Sequence, residues 1–380
     1  MRKNLVQSYS LLLCMLLIAM ALVRPAPVAA AGVEPALASA LDQVLDRALA
    51  GSRAPGALLA VSVPGQGIWV GARGLADRDS GAALAPDDRF CIASISKTFV
   101  ATVAMQLVQE GWLSLDQTVE HWLPGMIPNG QRINVRQLLN HTSGIRDYLD
   151  EPFMRAVLAN PGRVWQPQEL VAAAVGQPPY FAPGARGRWH YSNTNYVMLG
   201  LVIEQVTHHP LAIEIHQRII DPLALRHTFF EPADTPDGAL MQGYEGRRNL
   251  SAGLNMSFAW SVGNITSTTA DLARFAEALF GGALLRPEAL NTMRTFVGVA
   301  GAWGTRDLTY GLGIMQNVLH PAQPALVVGH TGELAGYRSA MWYWPERGVT
   351  LVAAINQESA NPNELIVKAI DALRTHIPDP

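Results

Sequence analysis

Ser94 and Lys97 lie three residues apart at the start of an apolar stretch, and together they have the chemistry of a covalent catalytic site. Residues 89–111 read RFCIASISKTFVATVAMQLVQEG, with apolar residues at the spacing of one buried helix face and Gly111 placed to end the helix. Positions three apart on a helix project to the same side. An amine beside a hydroxyl, at the positive end of a helix, can make a serine nucleophilic without a histidine.

The scarcity of lysine supports a chemical role for Lys97. The chain has 28 lysine and arginine residues, of which only Lys3, Lys97 and Lys368 are lysines. Arginine therefore does almost every ordinary cationic task, and a partly desolvated lysine, unlike arginine, can lose its proton. The alternative is a serine cap followed by chance by a solvated lysine. The composition favours a nucleophile with its base.

Two further short stretches carry polar side chains in suitable contexts. WHYSNTNYVMLG places Tyr191 and Asn193 just before an apolar helix, and VVGHTGELAGY places His330, Thr331 and Gly332 at the end of a predicted strand. Taken alone, a tyrosine before a helix is usually packing and His-Thr-Gly is usually a turn. With S-x-x-K, in this order, they indicate one composite site.

These three motifs resemble those of the penicillin-recognising serine hydrolases, which carry S-x-x-K, then Y-x-N or S-x-N, then K-T-G or H-T-G. Y-S-N and H-T-G look like the branch of class C β-lactamases, DD-carboxypeptidases, D-aminopeptidases and related esterases. The similarity also covers DRFCIASISKTF, LSLDQTVEHWLPG, INVRQLLNHTSGIRDY and YGLGI. It looks closest to the secreted DD-carboxypeptidases, because a typical class C β-lactamase has lysine where this chain has His330.

The resemblance implies an acyl-enzyme mechanism that needs no metal or other cofactor. Ser94 attacks a carbonyl, Lys97 and Tyr191 share the proton transfers, and the backbone N–H groups of Ser94 and Glu333 form an oxyanion hole. Asn193 holds the substrate amide, and His330 keeps the field near Tyr191 positive or supplies a hydrogen bond. The implied catalytic residues are Ser94, Lys97, Tyr191 and His330, and the implied substrate-binding residues are Asn193, Thr331, Gly332 and Glu333.

Two departures from the carboxypeptidase pattern concern substrate recognition. The arginine that grips a substrate carboxylate is replaced by Met315, and an acidic Glu333 follows H-T-G. Arg338 is a candidate substitute for the missing arginine. We interpret His141, in HTSGI, as structural, and Cys91 as a small buried hydrophobe.

The two chain ends and the middle differ in character. Strands are predicted at 57–63 and 67–73 and again at 325–331, 337–343 and 349–356, with helical patterns between. The predicted fold is α/β of the α+β type, with an antiparallel sheet formed by both chain ends, flanked by helices, and an inserted all-helical domain. Residues 32–110 and 262–380 are assigned to the mixed domain and 111–261 to the mainly helical one.

Residues 1–31 are typical of a secretory signal, with Arg2 and Lys3, an apolar run and small residues ending at Ala31. Cleavage there predicts a periplasmic or secreted protein with no stable membrane span, and the alternative is an uncleaved anchor. The formal net charge of -3 makes nucleic acid an unsuitable partner.

Three functions follow as hypotheses. The first is a serine hydrolase acting on D-amino-acid peptides, amides or esters, with a small molecule of that kind as its partner. The second is a class C-like β-lactamase or a carboxylesterase. The third is a penicillin-binding sensor without turnover, whose ligands are β-lactams; the three intact motifs disfavour it.

Overall fold

Strands from both ends of the chain form one antiparallel sheet. The computed structural model describes residues 32–50, 52–236, 238, 240–299, 301–305, 307–320 and 322–377. Its strands are β1 Gly56–Val63, β2 Gly67–Gly74, β3 Phe90–Cys91, β4 Phe229–Phe230, β5 Tyr244–Glu245, β6 Arg248–Asn249, β7 Ile265–Ser267, β8 Val297–Gly298, β9 Thr309–Tyr310, β10 Met315–Leu319, β11 Ala325–Leu334, β12 Tyr337–Trp344 and β13 Val349–Ile355. Eight of these strands lie in the order β2-β1-β13-β12-β11-β10-β9-β8. The predicted fold class is confirmed.

Helices cover both faces of this sheet. The α-helices of the described residues are α1 Pro35–Ala50, α2 Ser96–Glu110, α3 Val119–Trp122, α4 Val135–Leu139, α5 Glu151–Ala159, α6 Pro167–Val175, α7 Asn193–Thr207, α8 Leu211–Ile215, α9 Trp260–Gly263, α10 Thr269–Phe280, α11 Pro287–Met293 and α12 Pro362–His376. The first and last, α1 and α12, pack on one face, and α10 packs on the other. The chain ends are thus tied together by packing on a shared sheet.

Strand β1 shows why the sheet needs helices on both sides. Every residue of β1 is buried. Leu59 and Val61 belong to the core under α1 and α12, whereas Leu58 and Ala60 belong to the core on the other face. Alternate residues of a strand point to opposite faces, so a strand that is apolar throughout is stable only between two layers.

Helix α2 runs through the second of these cores. All residues from Ser96 to Leu107 are buried, and the helix ends at Gly111, whose φ of 81° is the left-handed conformation that glycine adopts without strain. The predicted end of the helix is therefore where the structure has it.

Strands β8, β9 and β10 were not predicted, and β11 continues three residues beyond the predicted end at Thr331.

Two further predictions concern the division of the chain into domains and its N-terminal signal. The division into residues 32–110 with 262–380 and 111–261 stays a prediction, and one continuous core joins Phe99, Leu138 and Phe275 across its boundaries. The predicted signal, residues 1–31, lies outside the described residues. Within the described ranges, the structure contains no helix with the length and apolar character that a membrane crossing requires.

Candidate active site

Ser94 lies in a tight turn that comes just before helix α2, not in the first turn of that helix as predicted. The 3-10 turn spans Ala93–Ile95, and α2 begins one residue later. Ala93 has a φ of 50°, in the left-handed region that residues with a side chain rarely adopt. Gly332 of β11 packs against this turn so closely that a Cβ there would lie 2.2 Å from the Ile92 carbonyl oxygen. The strained turn presents Ser94 beside the strand that carries H-T-G.

Lys97 is fully buried beside Ser94, and its amine contacts two oxygen atoms. Nζ lies 3.1 Å from Ser94 Oγ and donates to the Val262 carbonyl oxygen over 2.7 Å. Burial lowers the pKa of Lys97 to about 7, because the charged form loses its hydration, and the Asp147 carboxylate opposes this shift. Near neutral pH a large fraction of Lys97 is therefore a neutral amine, with a lone pair that can take the Ser94 proton.

Aromatic rings enclose Lys97 and exclude water from it. Nζ is 5.1 Å from the ring centroid of Tyr191 and 5.8 Å from that of Tyr196. The His141 ring packs against both, with centroid separations of 4.3 and 5.4 Å, and is 4.8 Å from the Tyr310 ring. In a fully buried site, ring faces attract an ammonium group less strongly than the water that they replace does. This difference accounts for the lowered pKa of Lys97.

His141 orients the segment that carries Tyr191. The backbone N–H of Ser192 donates to His141 Nδ1 over 3.2 Å, and Asn195 Nδ2 lies 3.1 Å from the same nitrogen. Because Nδ1 accepts, the proton of the neutral ring is on Nε2. Burial lowers the pKa of His141 well below its usual value, so the ring stays neutral. These contacts fit the structural interpretation of His141.

Tyr191 is suited to donate a proton. Its hydroxyl is buried and makes no hydrogen bond of normal geometry to the described residues. The nearby Ser94 side chain favours the phenolate somewhat and so lowers the Tyr191 pKa. Burial outweighs that contribution and raises the pKa of Tyr191 far above its ordinary value. The raised pKa makes Tyr191 a weak acid that stays protonated in the resting site, so Lys97 is the group that accepts the Ser94 proton, and Tyr191 can give up its proton only to a strongly basic leaving group.

His330 is a buried neutral ring that two hydrogen bonds hold in place. Nδ1 lies 2.6 Å from the Thr331 carbonyl oxygen and must donate to it, and Nε2 therefore accepts from the Tyr310 hydroxyl over 2.9 Å. Burial lowers the pKa of His330 to about 3, with the Lys97 charge acting in the same direction. Of the two roles considered for His330, a permanent positive field does not fit this arrangement, whereas a hydrogen bond does.

Asn193 is fixed by a carboxylate that the sequence did not single out. The Asn193 backbone N–H donates to Asp147 Oδ1 over 3.0 Å, and its side-chain Nδ2 donates to Asp147 Oδ2 over 2.9 Å. Burial raises the pKa of Asp147, while these hydrogen bonds and Lys97 oppose the shift. Asp147 follows the HTSGI stretch. Nothing in the local sequence pattern indicates which residue of this stretch contacts Asn193 in the fold.

The rim of the site carries an ion pair. Glu333 is paired with Arg338, its register partner on β12, and Arg338 also donates to the Glu358 carbonyl oxygen. Arg338 is therefore committed to other partners, so it does not replace the missing carboxylate-binding arginine. Met315 lies at the position of that arginine, where its Sδ accepts from Thr331 Oγ1 over 3.8 Å.

One cavity connects these groups. Its volume is about 160 Å³. No arginine or lysine is among the described residues that line it. Its apolar lining comes from Leu149, Val262, Trp303, Met315 and Leu334. Gly263 and six predicted site residues supply the rest: Ser94, Tyr191, Asn193, His330, Thr331 and Glu333.

The remaining two predicted residues lie directly behind the cavity, Lys97 against Ser94 and Gly332 against the nucleophile turn. Asp147, Tyr310 and Trp303 are among the residues of this site that were given no role from the sequence. Tyr310 belongs to the YGLGI stretch, but its bond to His330 joins separate strands. The exposed Trp303 had no signal in the sequence.

Comparison with solved structures gives matches over most of the chain. A D-stereospecific amidohydrolase from Streptomyces sp. is 36% identical, with a TM-score of 0.77, and the match covers 88% of this chain and 97% of that one. A D-amino acid amidase from Ochrobactrum anthropi SV3, solved with D-phenylalanine, is 26% identical with a TM-score of 0.80, over 89% of this chain and 99% of that one.

A curated relative, esterase EstB of Burkholderia gladioli, is 35% identical over 52% of this chain and 53% of its own length. The matches to the first curated relatives all span less than two thirds of those proteins. The sequence model described as Beta-lactamase matches residues 41–374. The chain belongs to the β-lactamase family.

Proposed function

We propose that this protein is a serine hydrolase that cleaves amides and esters of D-amino acids with a free amino group, through an acyl-enzyme on Ser94. The observation that carries the proposal is the Ser94 and Lys97 pair, 3.1 Å apart, at the base of a cavity lined by Glu333 and by no cation among the described residues. The D preference is supported by the two solved relatives whose titles name D-amino-acid substrates or D stereospecificity.

Acylation begins when neutral Lys97 takes the Ser94 hydroxyl proton and Ser94 Oγ bonds to the substrate carbonyl carbon. The carbon to nitrogen or carbon to oxygen bond then breaks, and the leaving group takes a proton from Tyr191. Lys97 returns its proton to Tyr191, so both groups recover their starting states. Water then attacks the carbonyl carbon of the ester on Ser94 and gives a proton to Lys97. The bond from that carbon to Ser94 Oγ breaks, Lys97 returns the proton to Oγ, and the free acid is released.

Recognition of the substrate's ammonium group follows from the charges around the cavity. Asp147 holds Asn193 from behind, Glu333 stands at the rim paired with Arg338, and only about half of Lys97 is charged near neutral pH, because its pKa is about 7. This balance favours a cation over a carboxylate. It disfavours the conventional DD-carboxypeptidase and the β-lactamase, whose substrates carry a carboxylate on the leaving side.

The direct test is hydrolysis of D-phenylalanine amide, followed by ammonia release, beside its L enantiomer and its N-acetyl derivative. We expect the free D-amide to have the highest kcat/KM. Asp147→Asn should reduce the preference for the free amine over the N-acetyl form, and this ratio cancels any change in the nucleophile. Faster turnover of a D-Ala-D-Ala peptide acid or of a cephalosporin than of every D-amide would contradict the proposal.

Export to the periplasm or the medium is also proposed, on the basis of residues 1–31 alone. N-terminal sequencing of the protein recovered from the periplasm or the medium should begin near Gly32. Recovery of a chain that keeps Met1, bound to the membrane fraction, would instead support the uncleaved anchor.

A further inference from the structure

Trp303 is a large apolar side chain placed at the mouth of the cavity without being buried by the core. It is 55% exposed, and its backbone has a φ of 55°, in the left-handed region that is unusual for a bulky residue. The turn around it begins at Gly301, which is also left-handed. Strained backbone at a binding site is typical of a residue held for function rather than for stability.

The contacts of Trp303 fix its place relative to the chemistry. Its ring centroid is 5.5 Å from the Tyr191 ring and 5.5 Å from the Trp189 ring, both in edge-to-face geometry. Trp189 is buried and donates through Nε1 to the Asn140 carbonyl oxygen. Trp303 is therefore supported from one side by a fixed ring, and its exposed surface lines the cavity beside the proposed proton donor.

Met315 extends the same apolar wall. Its side chain lines the cavity next to Thr331, and it is only 4% exposed. A group that receives a proton from Tyr191 must lie against that hydroxyl, within the cavity that Trp303 and Met315 also line. Asn193, the residue expected to hold the substrate amide, lies on helix α7 and is held by Asp147.

We infer that Trp303 and Met315 form a leaving-group subsite for an uncharged apolar group, preferably an aromatic ring. The inference rests on the proposed function and names the departing half of its substrate. Aromatic rings gain from edge-to-face contact with tryptophan beyond the area they bury. A carboxylate at the same place would meet no cation among the described lining residues and would lie in the field of Glu333.

The test compares benzyl and methyl esters of one acyl group, because the two alcohols are of closely similar acidity and differ mainly in size. The acyl group is whichever of D-alanyl, N-acetyl-D-alanyl and acetyl is turned over fastest. In wild type we expect kcat/KM to be about tenfold higher for the benzyl ester. In Trp303→Ala the two esters should react at nearly equal rates, while Trp303→Phe, which keeps a ring, retains most of the preference.

Trp112 provides a matched control, since it is 59% exposed and absent from the cavity lining. Trp112→Ala should leave the benzyl to methyl ratio unchanged. If Trp112→Ala and Trp303→Ala lowered the benzyl to methyl ratio equally, or if the wild-type ratio were near one, the subsite would be overturned. A second measurement, which needs no turnover, uses saturation-transfer NMR to detect binding of benzyl alcohol to the Ser94→Ala variant. This binding should disappear in the double variant that also carries Trp303→Ala. If no ester is turned over but benzyl alcohol still binds, the proposed function is wrong and the subsite stands. If benzyl alcohol does not bind, the subsite is wrong.

Discussion

Lys97 at the base of the cavity and Arg338 at its rim are both cationic residues near a carboxylate, yet their environments differ. Lys97 is fully buried among rings, and its pKa is lowered to about 7. Arg338 is partly exposed and paired with Glu333. At the base, loss of hydration outweighs the attraction of Asp147, whereas at the rim Arg338 is partly exposed to water and pairs directly with its carboxylate. The comparison separates a region built for proton transfer from one built for selection of substrates.

The largest effect should come from the base of the cavity. Ser94→Ala removes only the attacking oxygen from the turn before α2, so the fold should be retained while activity falls to the uncatalysed level. Intact-mass measurement after incubation with an activated D-alanyl ester should show one added acyl group in wild type and none in Ser94→Ala. Acylation of the variant would show that another residue is the nucleophile.

Substitution of Lys97 tests whether its role is proton transfer or charge. Lys97→Arg keeps a cation, but arginine does not release its proton, so we expect a loss of ~10²–10⁴-fold in kcat/KM. Lys97→Ala should be no more than a few-fold worse. Arginine retaining most of the wild-type rate would mean that positive potential alone suffices, and the contrast between the base and the rim would be lost.

Tyr310→Phe tests the neutral His330. The substitution removes the hydroxyl that donates to His330 Nε2 and leaves a buried acceptor without its partner. We expect a loss of ~1–3 kcal/mol in the free energy of unfolding, measured by urea denaturation. No loss of stability at any pH would contradict this hydrogen bond. A loss whose size changes with pH around the usual histidine value would mean that His330 carries a proton in the folded state.

The smallest effect should come from the rim. Because Arg338 pairs with Glu333, the carboxylate repels an anionic leaving group less than a free carboxylate would. Glu333→Thr should raise kcat/KM for an acyl-D-Ala-D-Ala acid by about two- to threefold relative to its C-terminal amide. Wild type should prefer the amide. A wild-type preference for the acid would restore a conventional DD-carboxypeptidase.

Local motifs could be read from the sequence because their parts are close along the chain. Ser94 and Lys97, and Tyr191 and Asn193, are each within three residues, so the turn before one helix and the start of another bring each pair together. Strand β11 was also predictable from its apolar residues.

Long-range contacts could not be read in this way. Asp147 meets Asn193 across 46 positions, and Lys97 donates to Val262 across 165. The lowered pKa of Lys97 depends on rings from several such segments, so only the need for a neutral amine, not its cause, was predictable. Trp303 lacked any periodic pattern because it lies in an irregular turn.

The most direct measurement is the pH dependence of acylation by an ester that carries no titrating group, with the acyl-enzyme followed by mass in single turnovers. A base that must be neutral is active above its pKa and is lost as pH falls through it. From about pH 5 to about pH 9, the rate should therefore rise and then level off, with a midpoint near the Lys97 pKa of about 7. A rate independent of pH across this range, or one that falls as pH rises through 7, would contradict neutral Lys97 as the base that activates Ser94.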